Sequence, residues 1–187
     1  DRGLTELCAG KVMASLFFEA STRTDMSFQA AMRRLGGDVI AASNGVQFSS
    51  VYKGENLADT IRAAGCYADV IALRHPEIGS SYEAGYYLDL LNKRIDNPTI
   101  VVSGGDGIGE HPTQALLDLF TIQKYFNNVT DEAPLKIGFG GDIRYSRTIH
   151  SLVYLLEKIN KNIHYTFISI PDLMPQMDDE FKQYMNT

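Results

Sequence analysis

The residues best suited to chemistry sit in short polar stretches that follow apolar runs. The first is Glu19-Ala20-Ser21-Thr22-Arg23-Thr24, directly after the run Val12–Phe18. Ser21 can cap a helix whose first turn holds Thr22, Arg23 and Thr24. Backbone N–H groups and the positive end of the helix dipole would attract an anion there, the hydroxyls add donors, and Arg23 offers a bidentate clamp. Alone, the stretch serves equally well as a plain cap beside a surface arginine. A second stretch, Ser49-Ser50-Val51-Tyr52-Lys53-Gly54, sets a lysine among hydroxyls and by itself reads as a solvated loop. A third run ends in Arg74-His75-Pro76. A fourth ends in glycine-rich 104–109, followed by His111-Pro112-Thr113-Gln114. With His111 at the cap, Pro112 suits the first helical position and Gln114 the third. A neutral histidine facing a helix N-terminus donates well to a carbonyl oxygen, because the dipole disfavours its protonation. The plainer alternative is a capping box closed by Gln114. A fifth stretch, Gly138–Thr148, brings Arg147 to a helix opening, where it suits a carboxylate or phosphate. Neither glycine run fits GxGxxG, which argues against a dinucleotide site. His75, His150 and His164 lack metal-ligand spacing with any Cys or acid, so each is expected to be structural.

The elements that must position these groups alternate along the chain. Apolar strand-length runs at Val12–Phe18, Val39–Ala42, Val70–Leu73 and Ile100–Val102 are each followed by a helical pattern, at Met26–Leu35, Leu57–Tyr67, Tyr82–Leu91 and Ala115–Phe126. Continuous apolar strands between amphipathic helices predict an α/β fold: a parallel sheet with helices on both faces. Gly36-Gly37 fits a helix C-cap, Asn56 an N-cap, and Pro76 and Pro98 break the chain between elements. After the polar stretch 127–134 the pattern restarts as the opening of a second, Rossmann-like α/β domain. It has a strand at Lys136–Phe139, a helix over Ile149–Ile159, a strand at Tyr165–Ile170 and a last helix near Phe181. Domains are therefore expected at 1–130 and 131–187. In open parallel sheets ligands bind beyond the carboxyl ends of the strands. Arg23, Lys53, Arg74, His111 and Arg147 fall in successive connections at that edge, which favours a basic pocket without a metal over five unrelated caps.

Composition sets the frame. The chain has 187 residues, 44% hydrophobic and 21% charged, with a net charge of −6. That is ordinary globular material, and the negative balance argues against nucleic acid or an anionic membrane as partner. Cys8 and Cys66 are too few for a disulfide scaffold and fit a reducing compartment. No apolar run approaches the roughly 20 residues of a membrane span, and no signal-like segment opens the chain; a cytoplasmic location is expected.

The quoted stretches, taken in order, resemble the catalytic chains of the aspartate/ornithine carbamoyltransferase family. The resemblance rests on Phe17-Phe18-Glu19-Ala20-Ser21-Thr22-Arg23-Thr24, Lys53-Gly54-Glu55 with Asp59-Thr60, and Arg74-His75-Pro76-Glu77. It continues through His111-Pro112-Thr113-Gln114-Ala115-Leu116-Leu117-Asp118 and Gly141-Asp142 with Arg147-Thr148-Ile149-His150-Ser151. It implies a carbamoyl-phosphate-binding domain over 1–130 and the first part of an aspartate-binding domain over 131–187. It also implies transfer of the carbamoyl group of carbamoyl phosphate to L-aspartate, an early step of pyrimidine synthesis, with no cofactor and no metal. Ser21, Thr22, Arg23 and Thr24 would hold the phosphate; Thr24, Arg74 and His111 the carbamoyl oxygen; Gln114 the carbamoyl nitrogen; and Arg147 a substrate carboxylate. Ser49 and Lys53 would be donated across a subunit interface, which implies a catalytic homotrimer with shared active sites and leaves regulatory chains open.

Two departures stand out. Asp25 occupies a position that is usually basic in the family, within a turn of the phosphate cradle. The chain also begins after the family's first helix and ends inside the second domain, so it is expected not to turn over by itself. Two rival readings remain: a sister enzyme acting on another amine such as ornithine, and a non-catalytic scaffold. The Arg-His-Pro-Glu and His-Pro-Thr-Gln runs favour aspartate, and the intact Arg23, Arg74, His111 and Gln114 weigh against a scaffold.

Overall fold

The computed structural model describes residues 2–42, 55–93, 98–107, 109–126, 134–159 and 162–175. Ser49, Lys53, the expected helix near Phe181 and nearly all of the expected boundary segment lie outside them. Two compact units divide the chain, Asp1–Gly107 and Ile108–Thr187.

In the first unit, strands β1 (Val12–Phe17), β2 (Asp38–Ala41), β3 (Val70–His75) and β4 (Ile100–Asp106) form one sheet in the order β2-β1-β3-β4. Every pairing is parallel. The helices are α1 (Thr22–Arg34), α2 (Leu57–Gly65) and α3 (Ser80–Asn92). Side chains alternate across a strand, so the two faces of β1 bury different partners. Ala14, Leu16 and Phe18 pack with Ile61 of α2 and with Ala84 and Leu88 of α3. Met13 and Phe17 pack with Phe28 and Met32 of α1. Coverage on both faces explains why β1 and β3 read as unbroken apolar runs. Ile61, Ile71, Leu73 and Leu88 are at most 1% exposed, each worth about 1.5–3 kcal/mol of burial.

The expected punctuation is present. The Asn56 side chain accepts from the Asp59 N–H at 2.9 Å. Gly36, at φ +86°, takes the left-handed turn after α1, where a β-carbon would stand 2.2 Å from the Thr5 carbonyl oxygen.

In the second unit, β5 (Leu135–Gly140) pairs in parallel with β6 (Ile163–Ile168), residue for residue from Leu135 opposite Ile163. Helices α4 (Pro112–Tyr125) and α5 (Arg147–Ile159) complete it. Ala115 of α4 is buried with Phe139, Ile143, Leu152, Val153 and Leu156. Compactness therefore groups α4 with the second unit, upstream of the boundary expected from the polar stretch at 127–134. Strand β6 also starts and stops two residues earlier than expected. Ile163, Tyr165 and Phe167 turn one way into the core while the exposed His164, Thr166 and Ile168 turn the other, so pairing with β5, not the apolar run alone, sets its limits. No described helix is long and apolar enough to cross a membrane.

Candidate active site

The carboxyl edge of the first sheet carries residues 21–24 and Arg74, the anion-suited residues of that unit among the described ones. The chain leaves β1 and enters α1 through Ser21, whose non-helical backbone (φ −151°, ψ 73°) marks the cap position. Its hydroxyl does not cap. Ser21 Oγ donates instead to Thr24 Oγ1 at 2.9 Å, and α1 starts with no side-chain cap bond. The expected capping role of Ser21 is thus replaced by a hydroxyl pair, and the first-turn N–H groups are not taken up by that side chain. Thr22 and Arg23 are exposed and Thr24 half-buried. An uncapped, hydroxyl-rich first turn with an arginine is chemically an oxyanion cradle.

Arg74 stands at the end of β3, level with Phe17 of β1. It is 8% exposed. Its Nη1 donates to the Gly104 carbonyl at 3.0 Å, and its Nε lies 3.1 Å from Glu19 Oε2. The latter contact is an ion pair without hydrogen-bond alignment, since neither atom has a bond partner. A cation held this far inside the protein beside one carboxylate is a fixed positive centre at the sheet edge.

Beyond Arg74 the chain makes a braced ledge. His75 Nδ1 accepts from the Glu77 N–H at 3.2 Å and lies 2.9 Å from Ser80 Oγ, and Phe18 meets its ring edge-on with centroids 4.9 Å apart. Burial pushes the His75 pKa below its ordinary value, against the opposing pull of Glu77, Glu83 and Glu19. Asp106, buried at the end of β4, accepts from the Gly79 N–H at 3.0 Å. Gly107 donates to the His75 carbonyl at 2.9 Å. His75 is structural, as its isolation in the sequence suggests.

In the second unit His111 is the N-cap of α4, with Pro112 following as expected. Its Nδ1 accepts from the Gln114 N–H at 3.3 Å. That acceptor role leaves the ring proton of the neutral form on Nε2, the tautomer that donates to a carbonyl. The capping-box alternative is corrected: Gln114 does not reach back, and its Nε2 donates forward to Asp118 Oδ1 at 3.0 Å. The His111 N–H goes instead to Ser151 Oγ at 2.9 Å, and Ser151 donates in turn to Glu110. Arg147 opens α5 as expected, after a turn in which Asp142 Oδ1 accepts from the Tyr145 N–H at 2.9 Å. His150 bonds through Nε2 to the Ile143 carbonyl at 2.8 Å, a structural role. Arg23 and Arg74 thus share the edge of one sheet, while Arg147 follows a strand of the other and His111 heads a helix of that second unit. The single sheet edge expected for these basic groups is corrected for Arg147, which follows β5 of the other sheet; His111 follows β4 in the chain as expected, and Lys53 lies outside the described residues.

Four supporting residues escape a reading by residue type. Glu19 lies in a recognisable run, yet nothing local marks it as the partner of Arg74, whereas Asp118 is marked as the partner of Gln114 only by its i,i+4 spacing on the helix. Ser15 and Ser151 look like small residues in apolar segments. Both are buried, at 0% and 6% exposed, and a buried hydroxyl needs a partner.

An open parallel sheet with arginine and hydroxyl donors at its carboxyl edge defines an α/β protein of the class that takes its ligands beyond the strand ends. A family model described as "Aspartate/ornithine carbamoyltransferase, carbamoyl-P binding domain" matches residues 2–124, and the chain belongs to that family. It is 43% identical over 185 residues to the chloroplastic aspartate carbamoyltransferase of Oryza sativa subsp. japonica, covering 99% of this chain and 47% of the rice protein. The catalytic subunit of M. jannaschii aspartate transcarbamoylase superposes with a TM-score of 0.79 at 42% identity, over 94% of this chain and 53% of that one. Aspartate transcarbamoylase from Trypanosoma cruzi, solved in complex with carbamoyl phosphate, gives 0.77 at 36% identity over 98% and 53%. The chain thus spans about half the length of these relatives.

Proposed function

We propose that this chain carries the carbamoyl-phosphate-binding part of an aspartate carbamoyltransferase, over residues 1–130, and the opening of its aspartate-binding part, over 131–187. The observation that carries the reading is the retention of Ser21-Thr22-Arg23-Thr24, Arg74 and His111-Pro112-Thr113-Gln114 in a chain of this family. In the reaction the aspartate amine attacks the carbonyl carbon of carbamoyl phosphate. The tetrahedral species collapses by breaking the bond to the phosphate oxygen, the amine loses its proton, and N-carbamoyl-L-aspartate and phosphate result. Ser21, Thr22, Arg23 and Thr24 hold the phosphate, and Arg23 offsets its charge as it leaves. Thr24, Arg74 and His111 donate to the carbonyl oxygen, where negative charge grows and fixed donors count most. The Nε2–H tautomer of His111 suits that role. Gln114, its Nε2 turned to Asp118, offers Oε1 to the carbamoyl nitrogen, which is a donor. Arg147 binds a substrate carboxylate. Holding the two substrates together supplies much of the remaining acceleration.

The product belongs to pyrimidine synthesis, and the setting we propose is cytoplasmic. Ser49 and Lys53, given by a neighbouring copy in a catalytic homotrimer, would complete each site. The test is an assay of the full-length protein with carbamoyl phosphate against aspartate and against ornithine. Carbamoylation of aspartate, lost about 10²-fold or more in Arg23→Ala with folding intact, is the expected result. Preference for ornithine, or an unaffected Arg23→Ala rate, would overturn it.

A further inference from the structure

The phosphate reading leaves one residue unexplained: Asp25, an acid in the first turn of a helix proposed to hold an anion. Its carboxylate is not turned loose on that turn. Oδ1 accepts from Ser15 Oγ at 2.6 Å and from Gln29 Nε2 at 2.8 Å. Ser15 lies on β1 between Met13 and Phe17, on the face that α1 covers, and is 0% exposed. A hydroxyl sealed under a helix is costly unless bonded, and Asp25 meets that need. Gln29, one turn further along α1, holds the same oxygen from the helix side. The result is a clasp from the middle of β1 to the first turn of α1, closed across the connection that contains Glu19 and Ser21. The Asp25 N–H also makes the first full helical bond, to the Ser21 carbonyl at 3.0 Å. Backbone and side chain of one residue therefore fix where the turn begins and how it is rotated on the strand.

We propose that Asp25 is a positioning residue for the anion cradle. Through Ser15 and Gln29 it locks the first turn of α1 onto β1, so that Thr22, Arg23 and Thr24 meet the phosphate in a fixed geometry, at the expense of a negative charge nearby. The inference rests on the phosphate-site reading above. It separates two effects of one side chain: its hydrogen bonds favour anion binding by fixing the turn, and its charge opposes it.

The experiment measures inorganic phosphate and carbamoyl phosphate affinity of the full-length protein by calorimetry, with amide exchange of residues 22–25 read in parallel. The variants are Asp25→Asn, Asp25→Ala, Ser15→Ala and the double Ser15→Ala/Asp25→Ala. Asp25→Ala and Ser15→Ala should each weaken phosphate binding about tenfold, the scale of one lost charge-assisted bond, and speed exchange in the first turn. The double variant should be no worse than the weaker single one, because both remove the same clasp. Asp25→Asn keeps an acceptor for Ser15 and should bind phosphate as tightly or about two- to threefold tighter, with a steeper loss of affinity on adding salt, because the attraction that salt screens is then larger. A merely structural residue would lower the melting temperature in these variants and leave the affinity of the folded protein unchanged. Unchanged affinity in Asp25→Ala and Ser15→Ala, or full additivity in the double variant, overturns the proposal. Absence of phosphate binding in the parent protein, with exchange still accelerated in the variants, would instead overturn the phosphate-site reading on which it stands.

Discussion

The Arg74–Glu19 pair permits a quantitative test of how the sheet edge holds its buried cation. The two perturbations are Glu19→Gln, isosteric but neutral, and Arg74→Gln, neutral and shorter. The arginine side chain is 9% exposed and that of Glu19 31%, with 3.1 Å between Nε and Oε2. Removing one partner of a fully buried pair costs about 3–5 kcal/mol. Glu19 keeps partial contact with water, so the pair is already screened, and the expected loss for Glu19→Gln falls to about 2 kcal/mol. That variant leaves a buried guanidinium with the Gly104 carbonyl and no anion. Arg74→Gln leaves an anion that can rehydrate. Its cost, about 1–2 kcal/mol, comes from the lost bond to Gly104 and the lost packing of the arginine stem. The double variant should lose less than the sum of the two by about 1 kcal/mol. Urea unfolding with unchanged m-values reads all four corners of the cycle. A coupling energy of zero, or an Arg74→Gln cost well above that of Glu19→Gln, would refute the reasoning that the buried cation needs this carboxylate.

Two further outcomes follow from the ledge behind Arg74. Gly107→Ala would place a β-carbon 2.0 Å from the Pro76 carbonyl oxygen at φ +61°; a loss of about 2–4 kcal/mol in unfolding free energy is expected, and a loss under about 1 kcal/mol would show that the 76–79 turn yields freely. His75 has a folded pKa below its ordinary 6.5, so between the two values the unfolded chain binds the extra proton. Its contribution to stability is complete above about pH 6.5 and is lost as pH falls below that toward the folded pKa. Unfolding of His75→Gln across pH 5–7 should show a shallower loss on acidification than the parent, and identical slopes would exclude His75 as a source.

What was legible in the sequence was whatever is written locally. Apolar runs marked the strands because β1 and β3 are buried on both faces. Asn56 and His111 declared helix starts because a cap is a contact over three residues. Arg74 could be singled out because a strand that ends in arginine must direct it somewhere. The restart of the pattern as a second α/β unit was legible too, because the polar stretch at 127–134 interrupts it before Lys136–Phe139; the grouping of α4 with that unit was not, since nothing in Ala115–Phe126 says which sheet it will pack on. The limits of β6 failed for the same reason: its apolar run extends to Ile170, but β5 offers no partner beyond Gly140 opposite Ile168.

Asp25 shows why the remainder was hidden and why that matters for the site. Counted from the sequence, it adds one negative charge beside a proposed phosphate and weakens the pocket. In the fold its Oδ1 is bonded by Ser15 from the strand below and by Gln29 from the next helical turn. The partner on β1 is ten residues away and sits in a run that reads as pure core. The field at an anion site therefore depends on where the donors to each nearby carboxylate lie, and a tally of charges within one turn measures the wrong quantity. By the same logic the basic residues cannot be summed either: Arg74 is partly spoken for by Glu19, whereas Arg23 stands exposed on the turn itself. The positive character of the cradle should accordingly follow Arg23 and the first-turn N–H groups more closely than the net charge of the segment.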